Sequence, residues 1–319
     1  MSRRTLRATL AAVAVLATVG VACSNNSTST GAVGSSGSSG TGVCASADTS
    51  TGDALAQVCS DGTLRIATDP KYKPQSWYDV KTETWNGFDV EVANEIASRL
   101  GVSPEIQAQK WGVITAGSWN DRWDVSVGSM TDTIDREKLF YFTPAYYYTP
   151  AAMSVFTDNS TITGPGDLSG KTVCVGVATT YQDYVEGDLK LGAGAPPFDF
   201  EINGANLQTY ETDTDALDNL ALGDGVRCDA AISAQQTIQA FIDEGGSIKI
   251  VGDPLYYEPL AIAFDQNDPK DSQSLADAVS KIVEDMHDDG TLSELSKKWY
   301  NGVDWTTASS ESGGSESPS

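Results

Sequence analysis

The sequence predicts an α/β protein, in which β-sheets are covered by helices. From Leu64 onwards, short apolar runs rich in β-branched residues alternate with stretches of helical periodicity, and this alternation is typical of sheets flanked by helices. The chain has 319 residues, of which 40% are hydrophobic. It is therefore long and apolar enough to fill the cores of two domains of ordinary size.

The first half of this pattern supplies three predicted strands and one helix. Strands are predicted at 64–68, 123–128 and 151–156. Apolar residues of the segment 90–100 fall on one helical face, with Asp89 as a candidate N-cap and Gly101 as a candidate C-cap. The polar, glycine-rich segment 157–170 changes the composition, and we place the first domain boundary at its start.

The second half continues the alternation of strands and helices as far as residue 300, and the alternation is absent after Trp305. Strands are predicted at 172–177, 229–232, 248–251 and 260–264, and helices at 215–222, 234–244, 274–289 and 292–300. After Trp305 the composition is dominated by Ser, Glu, Gly and Pro. Such a composition cannot bury enough apolar surface to fold, so we expect 306–319 to be a disordered tail.

The charge balance excludes one class of partner. With 44 acidic and 20 basic residues the formal net charge is -24, which repels a phosphate backbone, so nucleic acid is excluded as a partner. The acidic residues are spread along the chain, which favours a solubility trait over a field tuned for cationic ligands. His287 is the single histidine, so no histidine-based zinc site or catalytic triad is expected. We expect neither a metal nor a cofactor.

The N-terminus is typical of an export signal. Basic residues at Arg3, Arg4 and Arg7 precede an apolar run that ends at Ala22, and a run of this length is too short for a membrane-spanning stop-transfer helix. We therefore interpret 1–22 as a signal peptide. The paired arginines are part of a twin-arginine pattern, and the choice between this route and the general secretory route stays open.

Cys23 is the candidate attachment point for lipid. The stretch Val19–Gly–Val–Ala–Cys23 resembles the lipobox of bacterial lipoproteins, with Gly20 in place of the usual leucine. The resemblance implies an acylated cysteine that carries palmitate, on the extracellular face of the cell membrane. Residues 23–43 are rich in Ser, Gly and Thr and are predicted to be a flexible linker. The alternative is an ordinary thiol within a cleaved signal.

The remaining cysteines are Cys44, Cys59, Cys174 and Cys228. An even number in an exported chain predicts two disulfides. The sequence allows three pairings, and nearness along the chain favours Cys44 with Cys59.

Four stretches, in order, carry a resemblance to a known family. They are Leu64–Asp69, Gly87–Ala97, Gly128–Arg136 continuing to Tyr146, and Gly290–Tyr300. With these stretches, the chain from Leu64 to Gly302 resembles the family 3 extracellular solute-binding proteins. The resemblance covers about three quarters of the chain. Members of this family are polar-amino-acid receptors of ABC importers.

The resemblance implies a two-lobed type II periplasmic-binding-protein fold, also called a Venus flytrap, with a mixed sheet flanked by helices in each lobe. Lobe one would comprise 44–156 and 256–305, and lobe two 157–255, with a hinge at the crossings that closes on a ligand. Cys174 and Cys228 would lie on or beside neighbouring strands of lobe two, which makes a bridge between them the expected second disulfide. The protein would act as a monomer that delivers its ligand to a permease.

Arg136 is the candidate group for binding a ligand carboxylate. A guanidinium can hold both oxygens of a carboxylate at once, and by resemblance Thr131 and the backbone of Ser129 would donate further hydrogen bonds to it. The alternative is that Arg136 is a surface residue in the charge run Asp-Arg-Glu-Lys. The family motif favours the binding role.

Three further positions match ligand contacts in the family, and two more are candidates from their place after a strand. By resemblance Asp69 contacts the ligand's side chain, and Tyr72 and Trp111 sandwich its aliphatic part; the alternatives are a turn residue before Pro70 and ordinary aromatic packing. Thr179 and Thr180 follow a predicted strand and would open a helix facing the cleft, either as an anion site or as simple helix capping.

Position 234 departs from the family pattern. Many relatives carry an acidic residue five positions after the aspartate that matches Asp229, and it receives the ligand's ammonium group, whereas this chain has Ala234. Gln235, Gln236 or Asp69 would have to substitute, or the ligand is not an α-amino acid.

The rival class is an enzyme. Some proteins that share this fold are dehydratases of cyclic acids or glycan lyases, and paired carboxylates suited to acid–base chemistry are plentiful here. No nucleophile–base pair is visible in the sequence, so a non-catalytic receptor is the favoured interpretation.

Overall fold

The computed structural model describes residues 42–193 and 195–307, and the elements named below belong to this part of the chain. The signal peptide, Cys23 and nearly all of the predicted linker lie outside the described residues, as does most of the predicted tail. The helices are α1 Ala54–Asp61, α2 Phe88–Leu100, α3 Trp111–Thr115, α4 Thr180–Glu186, α5 Asp213–Leu220, α6 Gln235–Asp243, α7 Gln273–Asp288 and α8 Thr291–Trp299. The strands are β1 Thr63–Thr68, β2 Lys71–Tyr72, β3 Ser76–Asp79, β4 Thr84–Asn86, β5 Ser103–Ala108, β6 Val125–Thr131, β7 Phe140–Phe142, β8 Tyr147–Phe156, β9 Thr172–Gly176, β10 Asn206–Tyr210, β11 Ala230–Ala234 and β12 Ile248–Asp265.

The main sheet is mixed and has the strand order β10-β9-β11-β8-β12-β6-β1-β5, with β7 added beside β12. The outer strands pair in parallel, β10 and β11 with β9 on one side and β5 and β6 with β1 on the other. The two long central strands, β8 and β12, are antiparallel, and their register shifts between Val251 and Tyr256. They join the two parallel halves of the sheet.

The buried apolar residues form separate clusters in the two halves. The largest cluster packs α2, α7 and α8 against β1 and β6, with Phe88, Ile96 and Phe264 among its fully buried side chains. Two others surround β9 and β11 and draw on residues from Ala151 to Tyr256. Each half therefore has its own core, as expected for a chain of this length.

Most of the predicted elements are confirmed, with shifts of up to four residues at their ends. The strands predicted at 248–251 and 260–264 are parts of one strand, β12, which continues through an irregularity after Val251, where Gly252 has φ 72° and the register shifts. The sequence reading missed several short elements, including α1, β5 and the small antiparallel sheet β2-β3-β4. These are short or partly exposed, so their apolar pattern is weak.

Asp89 is not the cap of α2. The helix begins at Phe88 after Gly87, which has φ 125° and lies so close to the Gln75 carbonyl that a Cβ there would be 2.1 Å from its oxygen. Asp89 is instead buried and accepts hydrogen bonds from the hydroxyls of Ser129 and Tyr146, at 2.7 Å each. This carboxylate therefore fixes the position of Ser129 in β6, which contributes to the site described below.

Both disulfides form with the expected pairing. Cys44 bonds to Cys59, and Cys174 of β9 bonds to Cys228, which precedes β11. Within the described residues, no helix has the length and apolar character needed to cross a membrane.

Candidate functional site

A cavity of about 470 Å³, including its mouth, lies between the two halves of the molecule. Its lining on the first side includes six residues that we call the first wall: Asp69, Tyr72, Trp111, Ser129, Thr131 and Arg136. The lining that faces them includes six residues that we call the second wall: Gly176, Thr179, Thr180, Tyr181, Glu211 and Asp213. Glu258 of β12 lines the cavity as well. The carboxyl ends of the parallel strands β1 and β9 lead directly into these walls, which is where ligands bind in open α/β sheets.

Arg136 is a buried cation in the first wall, with 9% of its surface exposed. Its guanidinium donates to two backbone carbonyl oxygens, those of Thr131 and Ala178, at 3.0 Å each. None of the ion pairs among the described residues includes Arg136. Burial lowers the pKa of Arg136 from its ordinary value. The cation is therefore held in the cavity wall without a neutralising carboxylate.

Glu258 is a buried carboxylate whose oxygens are engaged by three hydroxyls. Thr131 donates to Oε1 at 3.3 Å, Thr180 donates to the same oxygen, and Tyr181 donates to Oε2 at 3.0 Å. Burial raises the pKa of Glu258. Because Thr131 belongs to the first wall and the other two belong to the second, this carboxylate ties the two walls together.

Asp213 opens α5 in the second wall, directly after the helix cap Thr212. Its side chain is 5% exposed and accepts from the Gly176 amide at 3.1 Å and from the Ser233 hydroxyl at 2.7 Å. Burial, with a smaller contribution from the neighbouring Glu258 carboxylate, raises the pKa of Asp213 to about 7. Asp213 takes part in none of the ion pairs among the described residues.

Asp69 and Tyr72 lie together at the end of β1. Asp69 accepts from the Lys71 amide at 2.8 Å, and burial raises the pKa of its carboxyl to about 6. Burial also raises the pKa of Tyr72 well above its ordinary value, so the phenol is neutral at physiological pH. Asp69 thus adds another acidic group to a cavity in which Arg136 is the only cation among the lining residues.

Ser129 has a positive φ of 55°, which is uncommon for a residue with a side chain. Its amide donates to the Tyr146 hydroxyl at 3.0 Å, and its own hydroxyl donates to Asp89. Unusual backbone geometry of this kind occurs often at binding sites. The proposed donation from this amide to a ligand stays a prediction, since Tyr146 occupies the amide in this arrangement.

Direct contacts join the two walls. The Trp111 indole donates to the Ala178 carbonyl oxygen at 3.0 Å, and the Arg136 guanidinium lies 5.5 Å from the Trp111 ring centre. At the mouth, Lys110 and Glu211 form an ion pair at 2.6 Å. The cleft is therefore closed in this structure.

Eight of the nine ligand-contact residues predicted from the sequence line this one cavity. Thr179 also caps α4, because its hydroxyl accepts from the Gln182 amide. Gln235 is the exception: it starts α6 and lies in a different groove, beside Pro74 and Trp305. The structure does not bring it to the cavity, so it is not available there as the partner of an ammonium group.

Sequence reasoning missed Glu258 and Asp213. Glu258 is in the middle of the long strand β12, where an acidic residue flanked by apolar and aromatic residues is a signal for a buried functional group. Asp213 is one of four acidic residues between 211 and 218, so only its burial separates it from its neighbours. In the described part of the chain, no group of three or more His, Cys, Asp or Glu side chains is arranged to hold a metal ion.

Comparison with known proteins identifies binding proteins whose sequences are similar to this chain. The sequence profile of the bacterial extracellular solute-binding proteins, family 3, matches residues 64–302. The L-cystine-binding protein TcyA of Bacillus subtilis is 28% identical over 257 residues, which cover 78% of this chain and 85% of that protein.

Two solved structures are similar in fold as well as in sequence. A mutant of the arginine-binding protein ArgBP from T. maritima superposes with a TM-score of 0.66 at 25% identity, over 78% of this chain and 99% of that one. The ancestral amino-acid-binding protein AncCDT-1, described as a precursor of cyclohexadienyl dehydratase, gives 0.65 at 26% identity, over 78% and 99%. The fold is the two-lobed type II periplasmic-binding-protein fold, and with a profile match over most of its length the chain belongs to the bacterial extracellular solute-binding proteins, family 3.

Proposed function

We propose that this protein captures a small amino acid in the cavity between its walls and delivers it to the permease of an ABC importer. The observation that carries the proposal is the Arg136 guanidinium, which is buried in the cavity wall and has no carboxylate partner among the described residues. An unpaired buried charge is costly, and a ligand carboxylate would remove this cost by forming a two-point hydrogen-bonded pair.

The charges around Arg136 support a ligand that carries a cation as well as a carboxylate. The cavity is lined by Asp69, Glu211, Asp213 and Glu258, so its carboxyl groups outnumber its one guanidinium. A ligand with a carboxylate alone would add to this excess of negative charge, whereas an amino acid also supplies an ammonium group. Relatives named for L-cystine and for arginine agree with this choice.

Closure of the cleft would be the signal that the permease recognises. Trp111 and Arg136 reach from the first wall to one carbonyl oxygen, that of Ala178, across the cleft. We propose that lobe one comprises 44–156 and 256–305, that lobe two comprises 157–255, and that they rotate about the central strands β8 and β12. Opening would break the contacts to Ala178, and a ligand that touches both walls would favour the closed form.

We propose a binding role without catalysis. The lining residues include no cysteine and no histidine, and the hydroxyl of Ser129 is occupied by Asp89. Burial raises the pKa values of Asp213 and Glu258, and this cause requires no role in acid–base catalysis. Chemical change of a captured amino acid on incubation with the pure protein would overturn this assignment.

The anchor at Cys23 is part of the same proposal. A receptor held near its permease by lipid and a flexible linker works at a high effective concentration. The mature protein should stay with the membrane fraction through a high-salt wash and be released by detergent, and a Cys23→Ala variant should be secreted.

The function is tested by identifying what the protein carries. Purified protein is denatured, and the released small molecules are identified by mass spectrometry; calorimetry on the refolded protein then measures their affinities. We expect an amino acid with a dissociation constant in the micromolar range or below. A neutral sugar or a metal chelate as the bound solute would overturn the proposal.

A further inference from the structure

The cavity offers four carboxyl groups for an ammonium group, and their hydrogen bonds distinguish them. Glu211 lies at the mouth, where it is already paired with Lys110 at 2.6 Å. Glu258 accepts hydroxyl donors on both of its oxygens, three in total. The charge of Glu211 is therefore already compensated, and Glu258 has one acceptor position left, on Oε2, since a carboxylate oxygen can accept two hydrogen bonds. Both are weaker candidates than an uncompensated carboxylate with a free position on each oxygen.

Asp69 and Asp213 remain, and they lie on opposite walls. Asp69 belongs to the first wall, the same wall as Arg136. The carboxylate and the ammonium group of an amino acid are joined through a single carbon atom and point in different directions. When the two groups contact opposite walls, the ligand links the walls and stabilises the closed cleft most. The second wall supplies Asp213 for this contact.

Asp213 has acceptor capacity left. Each of its oxygens accepts one hydrogen bond, Oδ1 from the Gly176 amide and Oδ2 from the Ser233 hydroxyl, whereas a carboxylate oxygen can accept two. These donors fix the orientation of the carboxylate in the cavity wall. No ion pair of the described residues includes it, so its charge awaits a partner.

Ser233 and Ala234 are adjacent at the end of β11, so their side chains point to opposite faces of the sheet. Ala234 is fully buried and packs in an apolar cluster on its face, whereas the Ser233 hydroxyl contacts Asp213 on the other. A carboxylate from α5 therefore reaches the end of β11, although the strand itself has no acidic side chain there.

We propose that Asp213 receives the amino group of the bound amino acid and determines the preference for amino acids over other carboxylates. This inference rests on the proposed function, because it takes an amino acid as the ligand. Asp213 acts together with Arg136 as the second fixed point that orients the ligand across the cleft.

The test compares one ligand with and without its amino group. The twenty standard L-amino acids and L-cystine are titrated into the wild-type protein by calorimetry, and the tightest binder is paired with its 2-hydroxy acid, in which a hydroxyl replaces the amino group. The Asp213→Asn variant should bind the amino acid about 30- to 5,000-fold more weakly, the range for removal of one partner of a buried charge pair. Its affinity for the hydroxy acid should change by less than about threefold, since that ligand has no cation to lose.

Two further variants keep the test specific. Asp218→Asn removes the same charge from an exposed position on the same helix and should bind both ligands as the wild type does. Ser233→Ala leaves the Asp213 charge in place and removes the hydroxyl that orients it, so it should weaken amino-acid binding by a smaller factor. If Asp213→Asn does not fold, the loss of amino-acid affinity in Ser233→Ala still tests the role of Asp213.

The outcomes separate the two proposals. If an amino acid binds the wild type and Asp213→Asn binds it equally well, the assignment of Asp213 is wrong and the proposed function stands. If both ligands weaken equally in a folded Asp213→Asn variant, Asp213 is a structural residue and the assignment is again wrong. If no amino acid binds the wild type, both proposals fall.

Discussion

The two walls of the cavity hold opposite charges in different ways. The first wall places one buried guanidinium, Arg136, against backbone carbonyl oxygens. The second wall places a buried carboxylate, Asp213, against an amide and a hydroxyl. Both groups are oriented by uncharged partners and neutralised by none, so each is prepared for a ligand group of the opposite sign. The comparison indicates that the binding energy is divided between the walls by charge.

The largest effect is expected from the first wall. Arg136→Ala should lose roughly 2 to 5 kcal/mol of binding free energy, because the ligand carboxylate would be left buried without its partner. This loss corresponds to a dissociation constant about 30- to 5,000-fold higher by calorimetry. Lys138→Ala, an exposed change two residues away, serves as the control, and unchanged affinity in Arg136→Ala would remove the guanidinium from the site.

The next effect concerns the support of the second wall. Cys174 lies in β9 two residues before Gly176, and its bond to Cys228 closes a loop of 54 residues. Loss of this crosslink should destabilise the protein by about 4 kcal/mol on the chain-entropy account, against about 3 for the Cys44–Cys59 bond. Denaturant unfolding of the Cys174→Ala/Cys228→Ala and Cys44→Ala/Cys59→Ala variants measures both. A smaller loss for the first pair would show that the second half is held mainly by its apolar core.

The affinity should also depend on pH through the second wall. The pKa of Asp213 is raised to about 7 by burial, and an ammonium group pairs only with the ionised carboxylate. Binding is therefore strongest above this pKa and weakens as the pH falls through it, by about tenfold between pH 8 and pH 6. The neighbours that face Asp213 are Glu258, Asp69, Tyr72 and Tyr181.

The Asp213→Asn variant distinguishes the titration of Asp213 from the titration of its neighbours. In Asp213→Asn the remaining slope belongs to Asp69, whose pKa is raised to about 6, and to Glu258, so the loss between pH 8 and pH 6 should shrink. Calorimetry in a series of buffers gives the slope directly. A slope of the same size in the variant would assign the titration to another group.

The smallest effect tests the contact between the walls. Trp111→Phe keeps an aromatic ring in the first wall and removes the N–H that donates to the Ala178 carbonyl oxygen. One hydrogen bond of this kind contributes about 1 kcal/mol, so we expect affinity to fall about twofold to tenfold. Tyr78→Phe, on the exposed sheet β2-β3-β4, is the control. Tighter binding in Trp111→Phe would mean that this contact opposes closure.

The same contrast determines how much could be predicted from the sequence. All six residues of the first wall were named from the sequence, because each matches a position in or near a family motif that is local in sequence. The second wall was predicted at Thr179 and Thr180 but not at Asp213, because its role depends on contacts with Gly176 and Ser233, which are 37 and 20 positions away.

Two other differences have the same physical origin. Asp89 has the position of a helix cap in the sequence, yet the close packing of Gly87 on Gln75 starts α2 earlier and turns the carboxylate into the core. Gln235 follows the strand that leads to the cleft, but the helix that begins there carries its side chain into another groove. In each case tertiary packing determines the direction of a side chain that local sequence leaves open.

The central claim is that an amino acid spans the cavity with its carboxylate on Arg136 and its amino group on Asp213. A crystal structure of the protein with the amino acid that it carries after purification tests this directly. The account predicts two hydrogen bonds from the guanidinium to the ligand carboxylate, and the ligand nitrogen at about 2.7–3.1 Å from an Asp213 oxygen. A ligand whose amino group contacts Asp69 or Glu258 while Asp213 stays unpaired would contradict it.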